Sequence, residues 1–368
     1  MEQPKARPPW TAKRIAFLAL TWVAVLLLME AAIRIAQPDA GLPIYSGYPA
    51  GLVIPDPILG HSFQPNFRGF FPSLRYRDIP VDTNSLGFRD VEWTAVPDPS
   101  RPRVMVLGDS ITFGSPLRVE ERFTERAAAI LQSRGISVEI CNCGVTGFNL
   151  DQYNKLLQHF GRTMQPRVVL IGYCLNDAEP LNFYDNKIMK ISDGVRQDFN
   201  FSKLRKIAGD YRMDFDQSYA VNFAARAIRQ WLWSSPAYAQ KMADRYTAAT
   251  EEDLKDLYSD SAALTRLRKN FFEMKTFAQG ALGAELAVVI FVYHHQLIKK
   301  DSALNRRVGS MLQELKIPYV DLYEPFLAQA ATPDLYAYQD DCHPGVPGHQ
   351  IAGQAAAALL EQVLAAPP

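Results

Sequence analysis

The sequence predicts an α/β protein built on a parallel sheet with helices on both faces, and three observations predict it. Short apolar runs such as "RVMVLG" (103–108) and "RVVLIGYC" (167–174) do not alternate polar with apolar, so they read as strands buried on both faces. Helical stretches separate these runs, the mark of βαβ units rather than hairpins. The first run breaks into Gly-Asp-Ser between Gly108 and Gly114, residues that β-to-α turns and helix N-caps use.

Taken in order, "RVMVLG" is the first strand, and "EERFTERAAAILQSRG" is a helix closed by Gly135. "SVEICN" is the second strand, "NLDQYNKLLQHFG" its helix and "RVVLIGYC" the third strand. "ELAVVIFVYHH" and "IPYVDLY" supply two more, with "DSALNRRVGSMLQELK" between them and "PGHQIAGQAAAALLEQVLAA" as the closing helix. The sum is a doubly wound layer of five strands. The alternation stops between residues 178 and 283. There Val221, Ala224, Ile228, Trp231 and Leu232 keep a helical period, and Thr250 with Asp253 has capping-box spacing at the start of "TEEDLKDLY". "DSAALTRLRKNFFEMKTFAQGALG" reads as a further helix. This helical insertion either covers apolar surface or forms a lid over the sheet.

Ahead of the α/β part the composition changes. Lys5, Arg7, Lys13 and Arg14 precede "IAFLALTWVAVLLLM" (15–29), and the apolar stretch continues through Ala31, Ala32 and Ile33. That reaches the roughly twenty residues a membrane span needs. Glu30 falls near the interface and is placed to pair with Arg34 four residues on. No small-x-small cleavage site lies between the end of the apolar run at Met29 and Pro38. The expectation is a cytoplasmic tail (1–14) and a single-pass signal anchor (15–36) with its N-terminus inside. The remainder is then extracytoplasmic, in the periplasm. Residues 37–100 hold ten of the 25 prolines and read as a connector with short edge strands and turns, as around "VDTNSLGFRD". It either spreads over the main domain or spaces it from the membrane. Residues 101–368 form the α/β domain.

Lys plus Arg equals Asp plus Glu at 39 each, with no basic run, which removes the electrostatic case for a nucleic-acid partner. The partner implied is the membrane, through the N-terminal helix; oligomeric state leaves no mark on the sequence. Cys141 and Cys143, two apart on a strand, point the same way and are poor partners for each other. Cys174 and Cys342 are either a disulfide pair or buried thiols, and the spacing of the four cysteines suits no structural zinc site.

In a parallel α/β sheet, ligands sit outside the carboxyl ends of the strands. Ser110 follows the first strand there, Gly144 and Gly147 the second, Asn176 the third, and Asp340 and His343 the last. These are the groups acyl transfer needs. A serine hydroxyl is a weak nucleophile until a base accepts its proton, and a histidine held by an acid does that near neutral pH. Backbone N–H groups of serine and glycine, with an asparagine amide, can face the developing oxyanion.

"GDSITFG", "NCGVTG", "CLND" and "DDCHPGVPGH" resemble, in order, the four sequence blocks of the SGNH hydrolase superfamily (GDSL-type lipases and esterases), here in a membrane-anchored bacterial form. The resemblance covers roughly residues 101–362 apart from the insertion. It implies a flavodoxin-like three-layer α/β/α sandwich. It further implies Ser110 as nucleophile, His343 as base with Asp340 as its orienter, and Ser110, Gly147 and Asn176 as oxyanion donors. No metal or organic cofactor is required by that chemistry. The expected activity is hydrolysis of an extracytoplasmic ester, carried by a small molecule, a lipid or an acylated glycan. The alternatives are an O-acyltransferase acting on envelope carbohydrate with the same triad, and a non-catalytic glycan- or partner-binding domain. One departure stands in the third block, where Cys174 replaces the family's glycine and Gly172 lies two residues earlier. Asp341 competes with Asp340, and His349 competes with His343, although His349 reads as the start of the closing helix. A metal site of Asp340, His343 and His349 has no further ligand cluster behind it. Asp177 is expected to pair with nearby backbone, and His294 with His295 to end a strand as a solvated or packed pair.

Overall fold

The computed structural model describes residues 12–36, 49, 51–71, 78–179, 191–192, 195–196, 220, 228, 231, 235–337 and 343–365. Its centre is a sheet of five parallel strands: β1 (Arg103–Gly108), β2 (Glu139–Gly144), β3 (Val168–Tyr173), β4 (Glu285–Ile290) and β5 (Tyr319–Asp321). Every residue of β1 and β3 is buried, which is why both read as apolar runs, β1 from Val104 onward. The strand order is β2-β1-β3-β4-β5, the flavodoxin-like arrangement with its reversal between β1 and β3.

The longer helices are α1 (Ala12–Ala36), α2 (Phe123–Ser133), α3 (Leu150–Met164), α4 (Pro236–Ser259), α5 (Ser261–Phe277), α6 (Ala303–Glu314) and α7 (Val346–Ala365). From β1 to β2 the chain moves one way across the sheet, and thereafter it moves the other. Right-handed crossovers therefore put α2 and α7 on one face and α3, α5 and α6 on the other. Consistent with this, α2 packs on α7 and α3 packs on α5. Local sequence sets the helix starts. Asn149 accepts from the Gln152 N–H at 3.1 Å while the Gln152 side chain accepts from the Asn149 N–H at 3.2 Å, a reciprocal cap on α3. Asp260 caps α5 by accepting the Ala262 N–H at 2.9 Å. The buried residues Ala263, Leu267, Phe271 and Met274 then line one stripe of α5.

Two details of the 178–283 segment differ from the expectation. Its last helix, α5, is the crossover between β3 and β4 and so belongs to the regular fold. The capping-box spacing at Thr250 and Asp253 lies inside α4, because nothing between Ala237 and Ser259 is a proline or glycine that would stop the helix. Leu254 and Tyr258 at the end of α4 are buried.

The described residues of the proline-rich segment from 49 to 100 pack on the α/β domain. The segment forms two antiparallel pairs, Val53–Asp56 with Gly60–Phe63 and Arg68–Phe70 with Pro80–Asp82. Leu52, Val53, Leu59, Phe63, Phe71, Val81 and Phe88 join the same buried core as the sheet.

Two compact units are present, one of residues 47–209 with 240–368 and one of residues 1–46 with 210–239. In the second unit, Lys13–Ala36 is a 24-residue stretch long and apolar enough to cross a membrane, a property that anchors share with signal sequences. At 1.5 Å per residue it exceeds the hydrocarbon core of about 30 Å. Glu30 pairs with Arg34 at 2.9 Å and accepts the Ala220 N–H at 2.8 Å. Of the stretch whose Val221, Ala224, Ile228, Trp231 and Leu232 keep a helical period, Ile228 and Trp231 are helical, as is Ala220, and the rest lies outside the described residues.

Candidate active site

Three glycines lie side by side at the carboxyl edge of the sheet, Gly108 being paired in register with Gly144 on one side and Gly172 on the other. The chain leaving β1 folds at once into a helical turn, Ser110–Phe113, that sits on them. A Cβ on Gly108 would stand 1.9 Å from Thr112 Oγ1, one on Gly172 2.4 Å from the same atom, and one on Gly144 2.3 Å from the Phe113 nitrogen. Glycine is therefore required by close approach at these positions. Gly172, rather than residue 174, is the place in the third block where that need arises. Cys174 has φ −109° and ψ 151°, extended backbone open to any residue. Asp109 caps the Ser110 turn by accepting the Ile111 N–H at 2.8 Å, with its other oxygen 3.4 Å from Ser110 Oγ. The turn ends at Gly114 with φ +82°.

His343 Nε2 lies 2.8 Å from Ser110 Oγ, although 233 positions separate the two residues. Asp340, Asp341 and Cys342 lie outside the described residues, and with them the orienting acid and the disulfide question. Cys174 is buried.

Arg89, from the segment read as a connector, holds the far end of the Ser110 turn. Its buried guanidinium donates to Phe113 O and Gly114 O, both at 3.1 Å, to Leu117 O at 2.7 Å and to Pro80 O at 2.8 Å. Arg122, also buried, donates to Arg89 O and pairs with Asp90 and Glu125. Asp90 in turn accepts from the Asn142 N–H at 2.8 Å and from the Trp93 indole at 2.9 Å. Arg122 thus meets a carbonyl and two carboxylates, and Arg89 meets four carbonyls through its two terminal nitrogens; removing one partner would strand buried charge.

Gly147 has φ +72°, the left-handed region that favours glycine. Its loop is braced by His61, whose Nε2 lies 2.9 Å from Thr146 O and whose ring meets Phe148 edge-on at 4.9 Å. Asn176 sits in the turn Leu175–Ala178 after β3. Four side chains fix the backbone or flank of that turn. Asp177 accepts the Cys174 N–H at 2.7 Å and the Tyr153 hydroxyl at 2.9 Å. Tyr258, from α4, donates to Leu175 O at 3.0 Å, and Arg266, from α5, donates to Ala178 O at 3.0 Å. The Asn176 side chain itself is met by Tyr293, whose hydroxyl donates to Oδ1 at 3.1 Å. Burial and the nearby Asp109 carboxylate push Asp177 well above the usual carboxylate range.

The other histidines are placed differently. His349 is fully buried in α7, and its Nδ1 accepts the Phe123 N–H at 3.0 Å, the first amide of α2. Burial, then the neighbouring His343 and Arg122, push its pKa down to about 3. His294 and His295 open a short helix, His294–Lys299, rather than closing a strand. His294 packs on Tyr336 at 4.9 Å, and burial lowers His295 to about 4.

Arg89, His61, Tyr258 and Tyr293 are neighbours of the site that no motif announces. "GFRD" at 87–90, an arginine between an apolar residue and an acid just after a glycine turn, is the only local signal among them. The tyrosines carry none, because each reaches the site from another strand or helix.

A serine and a histidine from distant parts of the chain, in contact at the carboxyl edge of a 2-1-3-4-5 sheet, define a serine hydrolase on a flavodoxin-like scaffold. Residues 106–351 match the model of the GDSL-like Lipase/Acylhydrolase family, more than half of the chain, and the protein belongs to that family. No curated protein matches it. Solved structures of similar fold include TesA, at 15% identity over 71% of this chain and 99% of its own, TM-score 0.41. A protein of the G-D-S-L family from Desulfitobacterium hafniense gives 12% over 70% and 99%, TM-score 0.40. Axe2, an acetylxylan esterase from Geobacillus stearothermophilus, gives 16% over 73% and 96%, TM-score 0.37.

Proposed function

We propose that this hydrolase cleaves carboxylic esters through an acyl-serine formed on Ser110. The observation that carries the reading is the 2.8 Å contact between Ser110 Oγ and His343 Nε2. In it, His343 takes the hydroxyl proton as Ser110 Oγ bonds to the ester carbon, and Asp340 holds the imidazole and steadies its charge. The oxyanion is met by the N–H groups of Ser110 and Gly147 and by the Asn176 amide. Collapse breaks the bond to the alcohol oxygen, which leaves with the proton from His343. Water then attacks the acyl group with His343 again as base, returning the carboxylic acid and free Ser110. A fluorophosphonate probe should label the full wild-type chain in detergent and leave Ser110→Ala unlabelled. Labelling that survives the substitution removes Ser110 from the role.

The reading extends to location. A basic tail ahead of a span-length apolar helix supports an anchor with the tail inside and the catalytic domain outside the cytoplasm, in the periplasm, where it meets an ester on a small molecule, lipid or acylated glycan. In cells whose outer barrier alone is opened, added protease should digest the catalytic domain while cytoplasmic proteins survive. Digestion only after the inner membrane is broken would reverse the orientation. Recovery of a soluble chain cleaved beyond residue 36 would make the helix a signal sequence.

A further inference from the structure

We infer that Tyr293 is a positioning residue that holds the Asn176 amide with its NH2 group toward the reacting carbon; this rests on the reading of Asn176 as an oxyanion donor. An asparagine amide can turn over by half a rotation, exchanging Oδ1 and Nδ2 with almost no change of shape. Only one of the two orientations serves an oxyanion; the other aims a carbonyl oxygen at developing negative charge. Something must choose. The hydrogen bonds that fix the Asn176 turn, from Tyr258 to Leu175 O and from Arg266 to Ala178 O, reach its backbone and leave the amide free to rotate. The Tyr293 hydroxyl, donating to Asn176 Oδ1 at 3.1 Å, meets the amide itself.

The fold sets this contact. Ile290 on β4 pairs in register with Tyr173 on β3, and the Phe291 N–H continues the pairing onto Tyr173 O at 2.8 Å. Tyr293 and Asn176 each lie three residues beyond that shared rung, so the sheet brings them together. The phenol is itself held. Tyr293 is 5% exposed, its N–H donates to Gln296 Oε1 at 2.8 Å, and its ring packs on His295 at 5.4 Å. Gln296 is anchored in turn by donating to Asn305 Oδ1 at 3.0 Å. A hydroxyl donating to Oδ1 also draws charge through the amide and strengthens the N–H groups as donors.

Tyr293→Phe keeps the ring and removes only the hydroxyl. With the full chain in detergent and p-nitrophenyl acetate as probe, kcat should fall about tenfold, well short of the 10²–10³ that losing a whole oxyanion donor costs. KM should stay within about twofold, since the interaction is made in the transition state rather than with bound ester. In an Asn176→Ala background the same Tyr293→Phe change should alter kcat by less than about twofold, because the group it orients is gone. The rate of fluorophosphonate labelling reads the same ratios on folded protein alone. Wild-type kcat in Tyr293→Phe, or an equal loss with and without Asn176, overturns the proposal. Ser110→Ala run alongside separates the failures: an active Ser110→Ala defeats the site reading, whereas an inactive one with unimpaired Tyr293→Phe defeats only the role of Tyr293.

Discussion

Replacing His343 with alanine is expected to lower kcat for p-nitrophenyl acetate by about 10⁴–10⁶, with the melting temperature little changed. The imidazole contacts Ser110 at 2.8 Å and is only partly buried, so its removal takes away the base we propose without opening the core. Without it the hydroxyl keeps its proton, and attack must wait for water to accept it. Ser110→Ala should cost a similar factor, and the double variant should be no worse than either alone, because in the proposed mechanism base and nucleophile act as one unit. Asp340→Asn should be damaging but milder, since it spoils the orientation and tautomer of a base that is still present. Asp341→Asn should be mild. Losses in the two single variants that multiply in the double one would show that the residues act separately, and the shared mechanism would fall.

The parts of this molecule legible in its sequence are those where one local pattern has one physical cause. β3, and β1 after Arg103, read as apolar runs because helices cover both of their faces, and "GDSITFG" stands out because a turn on a glycine floor admits few residue types. The segment before residue 101 was harder. Prolines forbid it helix or central strand, its alternation is confined to short runs such as Leu59, His61 and Phe63, and Leu52 or Arg89 look like any loop residue until the sheet beneath them is known. Thr250 misled for a different reason. Its spacing to Asp253 is a true capping signal, but a helix already under way has no orphan N–H groups there to cap. Tyr293 is the limiting case. Its meaning depends on β3 and β4 being neighbours in register, a fact of topology that no window of sequence contains.

His349→Ala should instead act on stability, by about 3–5 kcal/mol, with kcat near normal below the melting transition. The side chain is fully buried against Phe123 and Phe291, so truncation leaves a cavity of the kind that costs about 2–5 kcal/mol. It also strands the Phe123 N–H at the start of α2, a loss of about 1–3 kcal/mol. The same burial makes a prediction in pH. With a pKa near 3 in the folded chain against an ordinary 6.5, His349 stays neutral in the fold while the unfolded chain takes up a proton. Stability from this group is therefore fully present above pH 6.5 and is lost as pH falls toward about 3, at up to about 1.4 kcal/mol per pH unit. His295, near 4, adds a loss of the same sign, whereas Asp177, raised by burial, takes its proton in the fold first and gains stability in acid. The sum does not isolate one group, so the comparison is with His349→Gln, which keeps an acceptor for the Phe123 amide and cannot titrate. Chemical denaturation between pH 7 and pH 4 should give a wild-type slope steeper than that of His349→Gln by close to one proton. Parallel slopes would mean that the buried imidazole titrates normally. A His349 variant that is folded, inactive and unlabelled by fluorophosphonate would move the base six residues along the chain, against the geometry that gives its Nδ1 to a helix amide rather than to Ser110.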